Sequence, residues 1–109
     1  MSTSSAPGIR ERGPTPERLT LTLFVSGASY ASERTVLRLR DMCDRHSASG
    51  YDLRIVDIHQ ERAEVVARGI LAVPTLIKEL PLPVRVLIGD FTDEPRVLAV
   101  LGLATGTEN

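Results

Sequence analysis

The sequence predicts an α/β domain with one mixed sheet and the element order βαβαββα. Three features carry this. Apolar residues alternate along 19–25 and then recur at helical spacing after Gly27. A β-branched run occupies 51–58 ahead of a second helical segment, and two extended runs, 75–80 and 84–90, are separated only by Pro81-Leu82-Pro83. A helical crossover between the first two strands favours parallel neighbours, whereas a short proline turn favours antiparallel ones.

Each element follows from its residues. Leu19, Leu21, Leu23 and Val25 fall on one face of the first strand, and Thr20, Thr22, Phe24 and Ser26 on the other. Gly27 ends it. Ser29 or Ser32 caps the helix that follows, because a short hydroxyl side chain satisfies a free amide in the first turn. Leu39, Met42, Cys43 and His46 form its inward stripe at i, i+3, i+4 and i+7, with Arg34, Arg38, Arg40, Asp41 and Arg45 on the other sides. Residues 47–50 break the helix. In YDLRIVDI, residues 51–58, Leu53 and Ile55 oppose Val56 and Ile58, so both faces are apolar, as in an interior strand. Ala63, Val66, Ala67 and Ile70 make the inward stripe of the second helix, and Gly69 ends it in the left-handed conformation. The runs 75–80 and 84–90 form a hairpin, since Pro81-Leu82-Pro83 cannot continue a ladder. Thr92 or Asp90 caps the last helix; Asp93 and Glu94 lie near its positive end, Pro95 in its first turn, and Val97, Leu98 and Leu101 face the core.

Composition narrows the function. The chain of 109 residues, 42% hydrophobic and 25% charged, suits one domain with a modest core. Residues 1–18, rich in Ser, Pro, Gly and Arg, read as a disordered N-terminal tail, residues 19–103 as the domain, and 104–109 as a C-terminal tail. A formal net charge of −1 gives no global field toward nucleic acid or anionic membrane. No segment reaches the ~18 apolar residues of a membrane span, and the N-terminus lacks the apolar run of a secretory signal. The single cysteine, Cys43, excludes an intramolecular disulfide and a multi-cysteine zinc site. A cytoplasmic protein is expected.

The element order is that of thioredoxin-like domains. More specific strings are LFVSGASYAS at the first strand and helix, DLRIVDI, and ARGILAVPTLIKELPLPVRVLIGDFTD. Gly27, Ile55 to Ile58, Pro74-Thr75-Leu76, Lys78, Pro81-Leu82-Pro83, Val84-Arg85 and Ile88-Gly89-Asp90 resemble the KaiB clock family, without gaps from about Leu19 to Leu103. The resemblance implies a protein that binds a hexameric KaiC-type ATPase, with a histidine kinase or another clock component as a further partner. It also implies two accessible folds: the thioredoxin-like one, and a rearranged, self-associating ground-state fold of order βαββααβ. A homo-dimer or homo-tetramer belongs to that expectation. This chain departs from the family at Leu82, where a third proline is common, at Val100 and Gly102, where clock-type members commonly carry Gly and Asp, and at Ala104, which replaces a tyrosine used in self-association.

No catalytic, cofactor or metal site is expected. The thioredoxin redox pair would fall at the start of the first helix, where Ser29-Tyr30-Ala31-Ser32 stands, and serine cannot perform dithiol exchange. Cys43 on an apolar stripe reads as a small hydrophobe; a redox or stress-response protein using Cys43 is the alternative. His46 and His59 stand at no metal-ligand spacing, and the pairs Asp41/Asp44 and Glu61/Glu64 read as solvated surface. Pro74, before the third strand, is expected to be cis and to lie at a sheet edge near the start of the first helix. Partner contacts are expected, by elimination and location, from Arg34, Arg54, Arg68, Lys78, Arg85 and Asp90.

Overall fold

A computed structural model describes residues 18–47, 50–89 and 91–103. Its elements are β1 (Leu19–Val25), α1 (Tyr30–His46), β2 (Tyr51–Asp57), α2 (Arg62–Arg68), β3 (Thr75–Leu80), β4 (Arg85–Ile88) and α3 (Glu94–Leu101), in the predicted order βαβαββα. The strands form one sheet in the order β2-β1-β3-β4. β1 runs parallel to β2 and antiparallel to β3, and β3 pairs antiparallel with β4.

The period of two along β1 divides the interior. Leu19, Leu21, Leu23 and Val25 join Leu39, Met42 and Cys43 of α1 and Val97, Leu98 and Leu101 of α3 in the main core. Burying side chains of this size stabilises by roughly 1.5–3 kcal/mol each. On the other face Phe24, Val56 and Ile77 form a smaller core, against which Val65, Ile70 and Val73 pack.

Local chemistry fixes the helix ends. Ser29 is the cap of α1, its Oγ accepting the Ser32 N–H at 3.1 Å. The cap of α3 is Asp93, not Thr92 or Asp90: its Oδ1 accepts the Arg96 N–H at 3.3 Å, a reach for which the shorter hydroxyl of Thr92 sits one residue too early. α2 ends at Gly69 with φ 67°, where a Cβ would be strained.

Two expectations change. The run at 51–57 is an edge strand, not an interior one. It is apolar on both faces because Leu53 packs on the main core and Val56 lies in the smaller one, while Ile55 stays 41% exposed. In α2 the inward residue is Val65, followed by Ile70 beyond the helix; Val66 is 80% exposed, and Ala63 and Ala67 are exposed too. With fewer than two full turns, the helix takes its rotation from the ion pairs described below rather than from a long apolar stripe.

The Val73–Pro74 bond is cis, as are Leu80–Pro81 and Leu82–Pro83. Pro74 leads into an interior strand, because β4 covers β3, and so is not at a sheet edge; with Ser29, Ser32 and Thr35 it lines a small cavity at the start of α1. Arg18, read as tail, is held to the sheet by Asp52 at 2.8 Å and by the Tyr51 carbonyl. The expected tails, 1–17 and 104–109, lie outside the described residues.

Candidate functional site

At the end of β1 the chain turns through Ser26 and Gly27 into the positive end of α1, the place where a redox thiol would gain most from the helix dipole. Here the groups are hydroxyls already in use. Ser29 Oγ donates to Ser32 Oγ at 3.0 Å, and Ser32 Oγ reaches the Ser26 carbonyl at 3.4 Å. Ser26 Oγ lies 3.0 Å from His59 Nε2, and the Asp57 carboxylate accepts the N–H groups of Gly27 and His59 at 3.2 and 2.9 Å. These contacts close the turn. Cys43 is elsewhere, fully buried on α1. Burial pushes its thiol up to about 11, with the Asp44 charge adding to the rise and Arg40 opposing it. At neutral pH it is a thiol and not a thiolate nucleophile. Among the described residues no group of three His, Cys, Asp or Glu side chains is arranged to hold a metal ion.

The candidate contact residues separate into three kinds. Arg54 and Arg68 are engaged within the domain: Arg54 makes a bidentate pair with Glu64, its Nη1 donating at 2.7 Å and its Nη2 to Oε1, and Arg68 Nη2 donates to both oxygens of Glu79 at 3.0 and 2.9 Å. Glu64 also lies 3.6 Å from Arg68, and Glu79 accepts from Thr22 Oγ1 at 2.8 Å. This network clamps α2, which buries none of its residues, onto the sheet. The Arg54 guanidinium accordingly holds the Glu64 carboxyl below its usual range. Lys78 is of the second kind. It is 5% exposed, between Leu76 and the strand end on the face that carries Leu21, so it is not part of a surface patch. Arg34 and Arg85 are exposed, on α1 and on the far edge strand β4 respectively, and Arg34 stacks 5.6 Å from the Tyr30 ring centroid. Asp90 lies outside the described residues. The structure therefore brings Arg54 and Arg68 together but does not gather the set into one patch.

A surface feature not singled out from the sequence lies beside Arg34. Val25, Gly27, Val36, Leu37, Ile55 and Glu61 are among the residues lining a cavity of about 580 Å³ between α1 and β2. Leu37 is 66% exposed at its rim. Tyr30, Arg34 and Leu37 stand at i, i+4 and i+7 and so share one helix face. Leu37 was the legible signal: a leucine off the inward stripe, among Arg34, Arg38 and Asp41. The groove is lined by apolar side chains together with Ser32, Glu33, Asp57, Gln60 and Glu61, which makes it a candidate interaction surface.

The KaiB domain family model matches residues 22–103. The chain is 41% identical over 83 residues to the circadian clock oscillator protein KaiB of Prochlorococcus marinus, covering 76% of this chain and 70% of that one. It is 31% identical over 86 residues to the circadian clock protein KaiB3 of Synechocystis, covering 79% and 82%. Among solved structures, the N-terminal domain of Synechococcus elongatus SasA superposes with a TM-score of 0.70 at 22% identity, over 94% of this chain and all of that one. Thioredoxin of Fasciola hepatica superposes with a TM-score of 0.55 at 15% identity, over 75% and 78%. The fold is thioredoxin-like.

Proposed function

The chain belongs to the KaiB family, and on that premise we propose that it is a non-enzymatic regulatory protein of a circadian or clock-like system that docks on a KaiC-type hexameric ATPase. The observation that carries this reading is the family match across nearly the whole domain. The chemistry of the site supports it: serines replace the redox pair, the one thiol is buried and protonated, and the open groove between α1 and β2 offers a docking surface. In this reading Tyr30, Arg34, Leu37 and Ile55 form the contact face, and Arg34 supplies the orienting bidentate cation for a carboxylate. Arg54 and Arg68 act by positioning α2, and Lys78 acts within the fold. A histidine kinase or another clock component is the second partner proposed, and the cytoplasm the compartment; neither nucleic acid nor membrane is among the proposed partners.

The test is to titrate the purified chain into a KaiC-type hexamer and repeat with Arg34→Glu and Leu37→Asp. Both positions are exposed, so the fold, followed by circular dichroism, is expected to persist. Each change is expected to weaken binding about tenfold or more, as replacement of an interface anchor does. Unchanged affinity in both variants moves the contact away from this face.

A further inference from the structure

The groove between α1 and β2 is lined by charge of one sign. One wall is the α1 face of Glu33, Val36 and Leu37, and the other is Ile55 on β2 with Asp57 and Glu61 beyond it. The charged groups that line it are all carboxylates. Arg34 and Arg62, the cations next in sequence to Glu33 and Glu61, are not among the lining residues. Asp57 is already in use, since its Oδ1 accepts the N–H groups of Gly27 and His59. Glu33 and Glu61 are both exposed, and among the described residues neither side chain makes a hydrogen bond or an ion pair. Arg54, whose charge reaches Glu61, gives both Nη groups to Glu64. Glu61 stands at the N-cap of α2 without a side-chain cap hydrogen bond, so it has no local task either.

We propose that this groove takes a basic segment of the docking partner, an apolar side chain lying against Val36, Leu37 and Ile55 and a neighbouring arginine or lysine between Glu33 and Glu61. The inference rests on the reading of this face as the contact with the ATPase. Leu37 and Ile55 are 66% and 41% exposed, and covering them removes apolar surface from water. The cavity of about 580 Å³ lies within the roughly 300–1,000 Å³ of sites that enclose a group, so side chains can enter it. An exposed ion pair alone contributes little, but a cation flanked by two carboxylates and shielded by apolar walls is screened less. Arginine suits such a place best, because its planar, weakly hydrated guanidinium lies on aliphatic walls while its donors fork to carboxylates. The groove continues into the exposed face of Tyr30, Arg34 and Leu37, so an occupant that fills it also crosses that face; this favours a protein segment over a free small molecule. Arg34 puts the opposite charge at the rim. A complementary segment therefore sets its base in the groove and its acid over Arg34, and that fixed order gives it one direction. A second copy meeting this one groove to groove would bring the same carboxylates against each other.

Backbone amide NMR of the full chain, titrated with acetyl-Leu-Arg-Leu-amide and with acetyl-Leu-Glu-Leu-amide, tests the groove without the ATPase. The arginine peptide is expected to shift the amides of Glu33, Ile55 and Glu61 saturably, and the glutamate peptide to bind about tenfold more weakly. The double variant Glu33→Gln, Glu61→Gln, with its fold followed by circular dichroism, is expected to erase that difference. The same variant is titrated into a KaiC-type hexamer at low and high salt. It is expected to bind about tenfold more weakly than wild type at low salt, with a shallower salt dependence. Equal binding of the two peptides, shifts confined to other residues, or no saturable shift overturns the proposal, and none of these touches the ATPase reading. A hexamer that binds wild type and double variant alike also overturns it, while that reading stands. A hexamer that binds neither, with the peptides behaving as expected, removes the ATPase reading and supports the groove as a site for a basic segment. A chain carrying Arg10→Glu and Arg12→Glu that takes the arginine peptide about tenfold better makes its own residues 9–12 the occupant, and groove shifts on concentrating the chain alone make a second copy the occupant; each overturns the proposal.

Discussion

Replacing Val100 by Gly and Gly102 by Asp together tests what holds the C-terminal half in its present form. Val100 lies in α3 and packs partly buried against the main core. Glycine there costs a few tenths of a kcal/mol in helix propensity. It also removes part of a valine's burial, about 1 kcal/mol. Gly102 caps the same helix at φ 75°, with open space where a Cβ would stand, so aspartate there costs backbone strain alone, about 1 kcal/mol. The sum is about 2 kcal/mol, or roughly 30-fold in an equilibrium between forms with and without α3. Urea unfolding gives the stability, and backbone amide NMR gives the state of residues 94–101. The double variant is expected to lose about 2 kcal/mol, and because the two positions share the last turn of α3 the single changes need not add to that value. Stability unchanged to within about 0.5 kcal/mol, with α3 resonances unmoved, would refute the view that these two residues anchor the thioredoxin-like half.

Three further outcomes follow from the same geometry. Leu39→Ala, at a fully buried position facing β1, is expected to cost about 2–5 kcal/mol in chemical denaturation; a loss under 1 kcal/mol would mean the site collapses or is not core. Cys43 is expected to resist a thiol reagent at neutral pH until the chain is unfolded, since burial holds it protonated; labelling at the rate of a free thiol in the native state would restore the redox alternative. Acid acts through Glu64 and Glu94, whose carboxyls are held below their usual range by Arg54 and Arg45. Because the folded values are lowered, their contribution is present above the ordinary carboxylate range and lost as pH falls through the folded values. Urea midpoints should therefore drop on acidification, and Glu64→Gln should flatten the drop; an identical pH profile in that variant would exclude the clamp as its source.

Much of the fold was legible because the patterns were local. The alternation along Leu19 to Val25, the stripe Leu39, Met42, Cys43 and the hairpin around Pro81 each depend on neighbours in sequence. What was not legible depends on pairing at a distance. The strand at 51–57 reads as interior because Leu53 and Val56 serve two different cores, and only the sheet order reveals that nothing pairs on its outer side. The rotation of α2 was missed because ion pairs to Arg54 and Glu79, residues on two other elements, set it in place of a stripe. The same bonds take Arg54 and Arg68 out of a free cationic patch, and the position of Lys78 beside Leu76 takes it inside. Arg34 kept its predicted exposure, but the groove beside it needed β2 to lie alongside α1, which no single segment encodes.

Co-sedimentation of the purified chain with a KaiC-type hexameric ATPase, in ATP, in ADP and without nucleotide, tests the functional reading most directly. The chain is expected to travel with the hexamer in at least one of these states and to be released when Arg34 is reversed to Glu while remaining folded. Absence of a complex in all three states, at concentrations where the chain is folded and unaggregated, would contradict the reading of this KaiB-family member as a partner of that ATPase.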